Sequence, residues 1–114
     1  MPFLSIQTNQ DLSADQLSEL LTRASRTVAD MLKKPERYVM VSVARNEAML
    51  FAQSGTPLAY LELKSIDLPE DATGELSRAL CGLMQELLAI DMDRVYIEFS
   101  NASRHMWGWN GTTF

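Results

Sequence analysis

Hydrophobic residues recur with a helical period in two stretches of the chain and alternate with polar residues in the stretches between them. The first helical stretch follows Ser13, which forms a predicted capping box with Gln16, and Pro35 ends it. The second stretch contains Leu76, Leu80, Leu83, Met84 and Leu87, and its start lies between Pro69 and Glu75. The pattern therefore predicts two amphipathic helices.

Four stretches have the composition of β-strands, because they are rich in β-branched and aromatic residues and bounded by turn residues. They cover residues 3–8, 38–44, 58–66 and 94–100. We also expect the segment AMLFAQ (residues 48–53) to extend a short ladder, and the tail HMWGWNGTTF to add a short strand.

The predicted elements follow the order β-α-β twice within a single domain of residues 1–114. The half-repeats are about 1–57 and 58–114, since KPERYVMV in the first half resembles DMDRVYIE in the second. We therefore expect an α+β fold in which two pseudo-symmetric βαβ units form a four-stranded mixed sheet with both helices on one face.

Strand parity separates the two faces of this sheet. One face is apolar and should pack against the helices; it contains Val39, Val41, Val43, Leu61, Leu63, Val95, Ile97 and Phe99. The other face mixes aromatic, charged and hydroxyl side chains; it contains Tyr38, Met40, Ser42, Tyr60, Glu62, Lys64, Tyr96 and Glu98. That composition predicts an oligomer whose sheets pack around a polar centre.

Composition excludes several classes of function. The formal net charge of −5 provides no basic surface for nucleic acid. The chain has one cysteine and one histidine, so we expect neither a disulfide nor a metal site, and nothing indicates a cofactor. No apolar run approaches the ~20 residues that span a bilayer, and no secretory leader is visible. We expect a cytoplasmic protein without a membrane partner, and unconventional secretion stays open.

Pro2 is the residue whose position most clearly indicates a chemical role. Removal of Met1 would expose its nitrogen as a secondary amine. An apolar pocket and a nearby cation would both disfavour the protonated form and lower its pKa. A neutral amine at pH 7 can act as a general base. If Met1 is retained, however, that nitrogen is an amide without basicity.

Several motifs at nearly constant spacing accompany this proline: MP, LKKPERY, KSI, ALCGLM, DRVYIEF and GWNGTTF. Together, and along the full length of the chain, they resemble the macrophage migration inhibitory factor family of the tautomerase superfamily. The resemblance implies a homotrimer with active sites at subunit interfaces. It also implies keto–enol tautomerisation of small aromatic substrates such as arylpyruvates or dopachrome-like compounds.

The resemblance also assigns roles to individual residues. It makes Pro2 the catalytic base and Lys34 the ligand of a substrate carboxylate or carbonyl oxygen; Lys33 is adjacent, but the spacing to the following proline favours Lys34. It implies that the backbone N–H of Ile66, beside Ser65, binds a substrate oxygen. Tyr96 would reach in from the neighbouring subunit. The aromatic and apolar walls would be Tyr38, Trp109 and Phe114.

Glu98 departs from the family pattern, in which the best-known member has asparagine. A carboxylate there would repel a carboxylate substrate and raise the pKa of the Pro2 amine. Two alternatives therefore remain: a signalling or binding protein with a weak or vestigial tautomerase site, or a hydratase or dehalogenase in which Glu98 activates water. Leu58 and Leu61 replace the cysteines of the CxxC motif that some members carry, so we expect no thiol oxidoreductase activity.

Overall fold

A computed structural model describes residues 1–114, and it contains two long helices, four main strands and a short terminal hairpin. The elements in chain order are β1 (Phe3–Thr8), α1 (Ala14–Leu32), β2 (Met40–Ala44), β3 (Ala59–Ile66), α2 (Thr73–Leu88), β4 (Val95–Ala102), β5 (Gly108–Trp109) and β6 (Thr112–Thr113). Short 3-10 helices cover Glu36–Tyr38, Glu70–Ala72, Met92–Arg94 and Arg104–Met106. The predicted β-α-β order is present in both halves.

The four main strands form one mixed sheet in the order β2-β1-β3-β4. The central pair, β1 and β3, is antiparallel, with Leu4 opposite Leu63. Each outer strand runs parallel to its neighbour, because a helix connects the two strands of each βαβ unit. Strands β5 and β6 form a separate antiparallel pair. The predicted fold class is therefore confirmed.

The core lies between one face of the sheet and the two helices. Nineteen buried residues form one cluster, and the strands contribute to it at alternate positions, as in Leu4 and Ile6 of β1 and Leu61 and Leu63 of β3. The outer strands β2 and β4 contribute mostly partly buried side chains of the same parity, and Val95 of β4 is itself buried in the cluster. The apolar face expected from strand parity is thus the face that the helices cover.

Helix α1 begins and ends as its sequence predicts. The Ser13 hydroxyl accepts a hydrogen bond from the Gln16 backbone N–H, and the Gln16 side chain accepts one from the Ser13 N–H. After Leu32, Lys33 adopts the left-handed conformation at φ 55°, and Pro35 prevents a further turn. Neither helix combines the length and apolar character needed to cross a bilayer.

Two local predictions differ most from the structure. Tyr38 was expected to begin a strand but closes the 3-10 helix Glu36–Tyr38, in which its N–H donates to the Pro35 carbonyl. The segment 48–53 forms no ladder beyond a single antiparallel bridge between Phe51 and Ser54. Its backbone is instead held by Arg94, whose guanidinium donates to the carbonyls of Phe51 and Ser54.

Candidate active site

A pocket of about 640 Å³ opens beside the N-terminal end of β1. Eight of its eleven lining residues are hydrophobic, so its interior favours an apolar or aromatic ligand. The lining comprises Met1, Pro2, Phe3, Arg37, Tyr38, Val39, Met40, Trp107, Gly108, Trp109 and Phe114.

Pro2 is fixed at the wall of this pocket by the central strand that it precedes. Its side chain is almost fully buried, and its carbonyl accepts a hydrogen bond from the Met40 N–H at 3.0 Å. The next residue, Phe3, is paired with Met40 on one side and with Lys64 on the other. Strand pairing on both sides therefore restrains the position of the proline ring.

Three aromatic side chains form one wall of the pocket. The Tyr38 ring meets Trp109 edge to face, with ring centroids 5.8 Å apart, and it meets Phe114 in the same way at 6.4 Å. Trp109 and Phe114 stack at 5.6 Å. The β5–β6 hairpin makes this possible, because its turn at Asn110 and Gly111, both with positive φ, returns the chain from Trp109 toward Phe114.

Lys34 lies at the point where β3 ends. Its Nζ donates a hydrogen bond to the Ile66 carbonyl at 2.6 Å, and the same carbonyl accepts one from the Ser65 hydroxyl at 2.9 Å. Ser65 is fully buried and Ile66 nearly so. Lys34 follows the end of α1 by two residues, and these contacts hold its cation in a defined position against the end of β3.

The N-terminal amine lies close enough to this cation to be perturbed by it. The pKa of the Met1 amine falls from 8.0 to about 6, first because burial disfavours the charged form, and then because of the charge and hydrogen bond of Lys34. Arg104 lowers this pKa further, whereas Asp67 opposes the shift. An amine in this position is therefore mostly uncharged at neutral pH.

Tyr96 and Glu98 do not line the pocket of their own chain. They lie in β4, and Tyr96 is 64% exposed and packs against Phe51 with ring centroids 4.6 Å apart. The Glu98 carboxylate accepts a hydrogen bond from the Tyr60 hydroxyl at 2.9 Å, which is the main cause that raises the pKa of Tyr60 to about 12. The chain therefore brings Pro2 and the aromatic wall together in the pocket lining, whereas Lys34, Ser65 and Ile66 are not lining residues. Lys34 is linked to the site through its effect on the N-terminal amine.

Sequence reasoning did not single out several residues of the pocket wall. Phe3, Val39 and Met40 follow from the pairing of β1 with the chain entering β2, which the strand prediction contained. Trp107 lies two residues before Trp109, so the aromatic spacing of the tail could have indicated it. Arg37 lies within LKKPERY but received no role, because an arginine after a helix usually points into solvent. No group of three or more His, Cys, Asp or Glu residues is placed to hold a metal ion.

A family model described as macrophage migration inhibitory factor (MIF) matches residues 1–114. The chain belongs to the MIF family. This family is part of the tautomerase superfamily, and membership supports a MIF-like function and, in general terms, an isomerase.

Individual MIF relatives agree in length and in fold. The chain is 34% identical to the macrophage migration inhibitory factor of Meriones unguiculatus, covering 100% of this chain and 99% of the relative. It is 36% identical to the MIF homolog of Brugia malayi, with the same coverage. The crystal structure of a MIF homologue from Prochlorococcus marinus is 40% identical over 98% of both chains, with a TM-score of 0.92.

Proposed function

We propose that this protein is a keto–enol tautomerase that acts on arylpyruvate or dopachrome-like substrates, with Pro2 as general base after Met1 is removed. The observation that carries the proposal is the placement of Pro2 in the wall of an apolar pocket. In this structure the N-terminal amine is that of Met1, and burial and Lys34 lower its pKa. MIF-family membership supports the same class of reaction.

The reaction requires a base that moves one proton between a carbon and an oxygen of the substrate. The neutral Pro2 amine takes the proton from the carbon next to the substrate carbonyl, and the resulting ammonium returns it to the oxygen. We expect the same surroundings to lower the pKa of the Pro2 amine, as they lower that of the Met1 amine. The base is then mostly uncharged before the reaction, and its ammonium is a ready acid afterwards. The same residue therefore works in both directions.

The remaining side chains orient the substrate in this proposal. Lys34 binds the substrate carboxylate or carbonyl oxygen, since its cation is already fixed against the end of β3. The backbone N–H of Ile66, beside Ser65, binds a second substrate oxygen. The substrate ring lies against Tyr38, Trp109 and Phe114, whose edge-to-face and stacked geometry suits a further aromatic ring.

We further propose a homotrimer in which Tyr96 and Glu98 complete the pocket of a neighbouring subunit. In the single chain β2 and β4 each have one partner strand, so each leaves a row of backbone groups unpaired. Large hydrophobic side chains are also exposed, including Met40 at 65%, Leu50 at 72% and Tyr96 at 64%. These features favour burial against further copies of the chain. Sedimentation velocity tests this directly, and a monomer at assay concentration would exclude a shared site.

Enol–keto conversion of phenylpyruvate, followed by ultraviolet absorbance, tests the base. Mass spectrometry first establishes that Met1 is absent. The same gene expressed with methionine aminopeptidase inhibited gives the Met1-retaining form, whose Pro2 nitrogen is an amide. Its kcat/KM should be at least roughly 100-fold lower, the usual contribution of a general base.

Pro2→Gly keeps an N-terminal amine but loses the ring, so its activity should fall less than that of the Met1-retaining form. Pro57→Gly, at an exposed position outside the pocket, is the matched control and should retain activity. Equal turnover by the two forms of the chain, at equal folded fraction by circular dichroism, would contradict the assignment of Pro2. It would favour a binding protein with a vestigial site.

A further inference from the structure

Arg37 places a cation in the lining of the pocket, whereas Lys34 is not one of the lining residues. It belongs to the 3-10 helix Glu36–Tyr38 and is one of the lining residues. Its guanidinium carbon lies 4.7 Å from the centroid of the Tyr38 ring, within the range of a cation–π contact. Arg37 is therefore held beside the aromatic wall, whereas Lys34 contacts the Ile66 carbonyl at the end of β3.

The guanidinium of Arg37 has no acidic partner. The adjacent carboxylate, Glu36, accepts a hydrogen bond from the Ser25 hydroxyl at 2.9 Å. The ion pairs of the chain involve Arg23, Lys64 and Arg104 but not Arg37. The pocket wall contains no acidic residue either. The charge of Arg37 is thus available to a ligand, in a chain whose net charge is −5.

We propose that Arg37 determines substrate specificity by binding a second acidic group, so that the site prefers aromatic oxo acids with an additional ring carboxylate over those with one carboxylate. This inference rests on the proposed tautomerase function. The oxo-acid end lies at the Pro2 amine and Lys34, the ring lies against Tyr38 and Trp109, and the ring carboxylate reaches Arg37. A guanidinium can accept this geometry, because it stacks on an aromatic face while its edge donates two parallel hydrogen bonds to a carboxylate.

Substrate competition measures the preference. The ratio of kcat/KM for 3- or 4-carboxyphenylpyruvate to that for phenylpyruvate should exceed one in the native protein for at least one isomer. Arg37→Gln should lower that ratio about fivefold, the equivalent of about 1 kcal/mol, as expected for a partly solvated ion pair. Arg37→Lys should fall between the two, because the charge stays and the bidentate geometry is lost.

Arg26→Gln is the matched control, since Arg26 is exposed on α1, makes no ion pair and lies outside the pocket. It should leave the ratio unchanged. The preference should also shrink as sodium chloride is raised from 50 to about 500 mM, where the Debye length falls below the size of the pocket.

Equilibrium binding separates this inference from the proposed reaction. Benzoate and benzene-1,4-dicarboxylate are unreactive, and their affinities are measured by titration calorimetry with the native protein and with Arg37→Gln. One outcome is that the protein turns over phenylpyruvate, but Arg37→Gln changes neither the kcat/KM ratio nor the affinity for the dicarboxylate. This outcome would overturn the role of Arg37 and leave the tautomerase proposal intact. Tighter binding of the dicarboxylate that depends on Arg37, without turnover of any oxo acid, would support the anion site and reject the reaction.

Discussion

The pKa of the N-terminal amine offers a quantitative test of how the pocket works. We predict that Lys34→Gln raises this pKa, because the substitution removes the charge that lowers it most and keeps a polar side chain. Burial is the larger cause of the shift and is unaffected by the substitution. The pKa of the variant should therefore lie between the native value and the ordinary value of an α-amino group.

The expected size follows from the structure. With Met1 present the amine pKa is about 6 instead of 8.0. At pH 7 an amine with the lower value is about 90% neutral, and one with the ordinary value is about 9% neutral. Loss of the whole shift would thus reduce the neutral fraction of the amine about tenfold. Loss of the Lys34 contribution alone would reduce it by less than that. The Pro2 amine, exposed by Met1 removal in the same surroundings, should be shifted in the same direction.

Nitrogen-15 NMR titration of the terminal nitrogen measures the pKa in both forms of the chain, and the pH profile of kcat/KM measures it in the working enzyme. Activity should rise with pH through the amine pKa, because the neutral form is the base, and Lys34→Gln should move this limb to higher pH. If Lys34 only binds the substrate, Lys34→Gln should raise KM and leave the position of this limb on the pH axis unchanged. Lys33→Gln is the control, since its side chain is exposed and does not perturb the amine.

The reasoning is refuted if the terminal nitrogen of Lys34→Gln titrates at the native pKa or below it. It is equally refuted if Lys33→Gln shifts the pKa as much as Lys34→Gln does. A change in the overall charge of the chain, and not the placement of Lys34 near the amine, would then be responsible.

Two further predictions concern contacts outside the pocket. Glu98→Gln should lower the pKa of Tyr60 from about 12 toward 10.0, because the hydrogen bond from the Tyr60 hydroxyl to the Glu98 carboxylate is the main cause of the raised pKa. Glu62→Gln should lower it less. An unchanged Tyr60 titration by NMR in Glu98→Gln would contradict this. Ala52 has a φ of 52° in the turn between Phe51 and Ser54, so Ala52→Gly should stabilise the fold by about 0.5–1 kcal/mol in urea denaturation. Ala48→Gly, at ordinary φ, should be neutral or destabilising, and equal effects of the two glycines would argue against relief of strain.

The fold followed from sequence because its signals are local and periodic. The Ser13–Gln16 capping box and the alternation in β1 and β3 each define an element without knowledge of the rest of the chain. Tyr38 was misassigned for a local reason as well. The hydrogen bonds of Tyr38 and Val39 to Pro35 and Glu36 form a turn that β-propensity does not register.

The pocket was less accessible to sequence reasoning, because its wall joins segments far apart in the chain. Family resemblance, not periodicity, connected Pro2 with Trp109 and Phe114. Arg37 lies within the motif LKKPERY, but the resemblance assigned it no role, and its position after a helix gave no reason to single it out. Strand parity placed Tyr96 and Glu98 on the mixed face of the sheet, but parity alone does not say in which copy of the chain they line a pocket.

Residues from both ends of the chain meet at one pocket, since Pro2 and Phe114 both line it. A purification tag fused at either end would therefore crowd the cavity, and one that precedes Pro2 would also convert its nitrogen to an amide. Protein for kinetic work should therefore carry no added residues before Pro2 or after Phe114. The exposed stretch around Asn46 and Glu47 is a better place for a label.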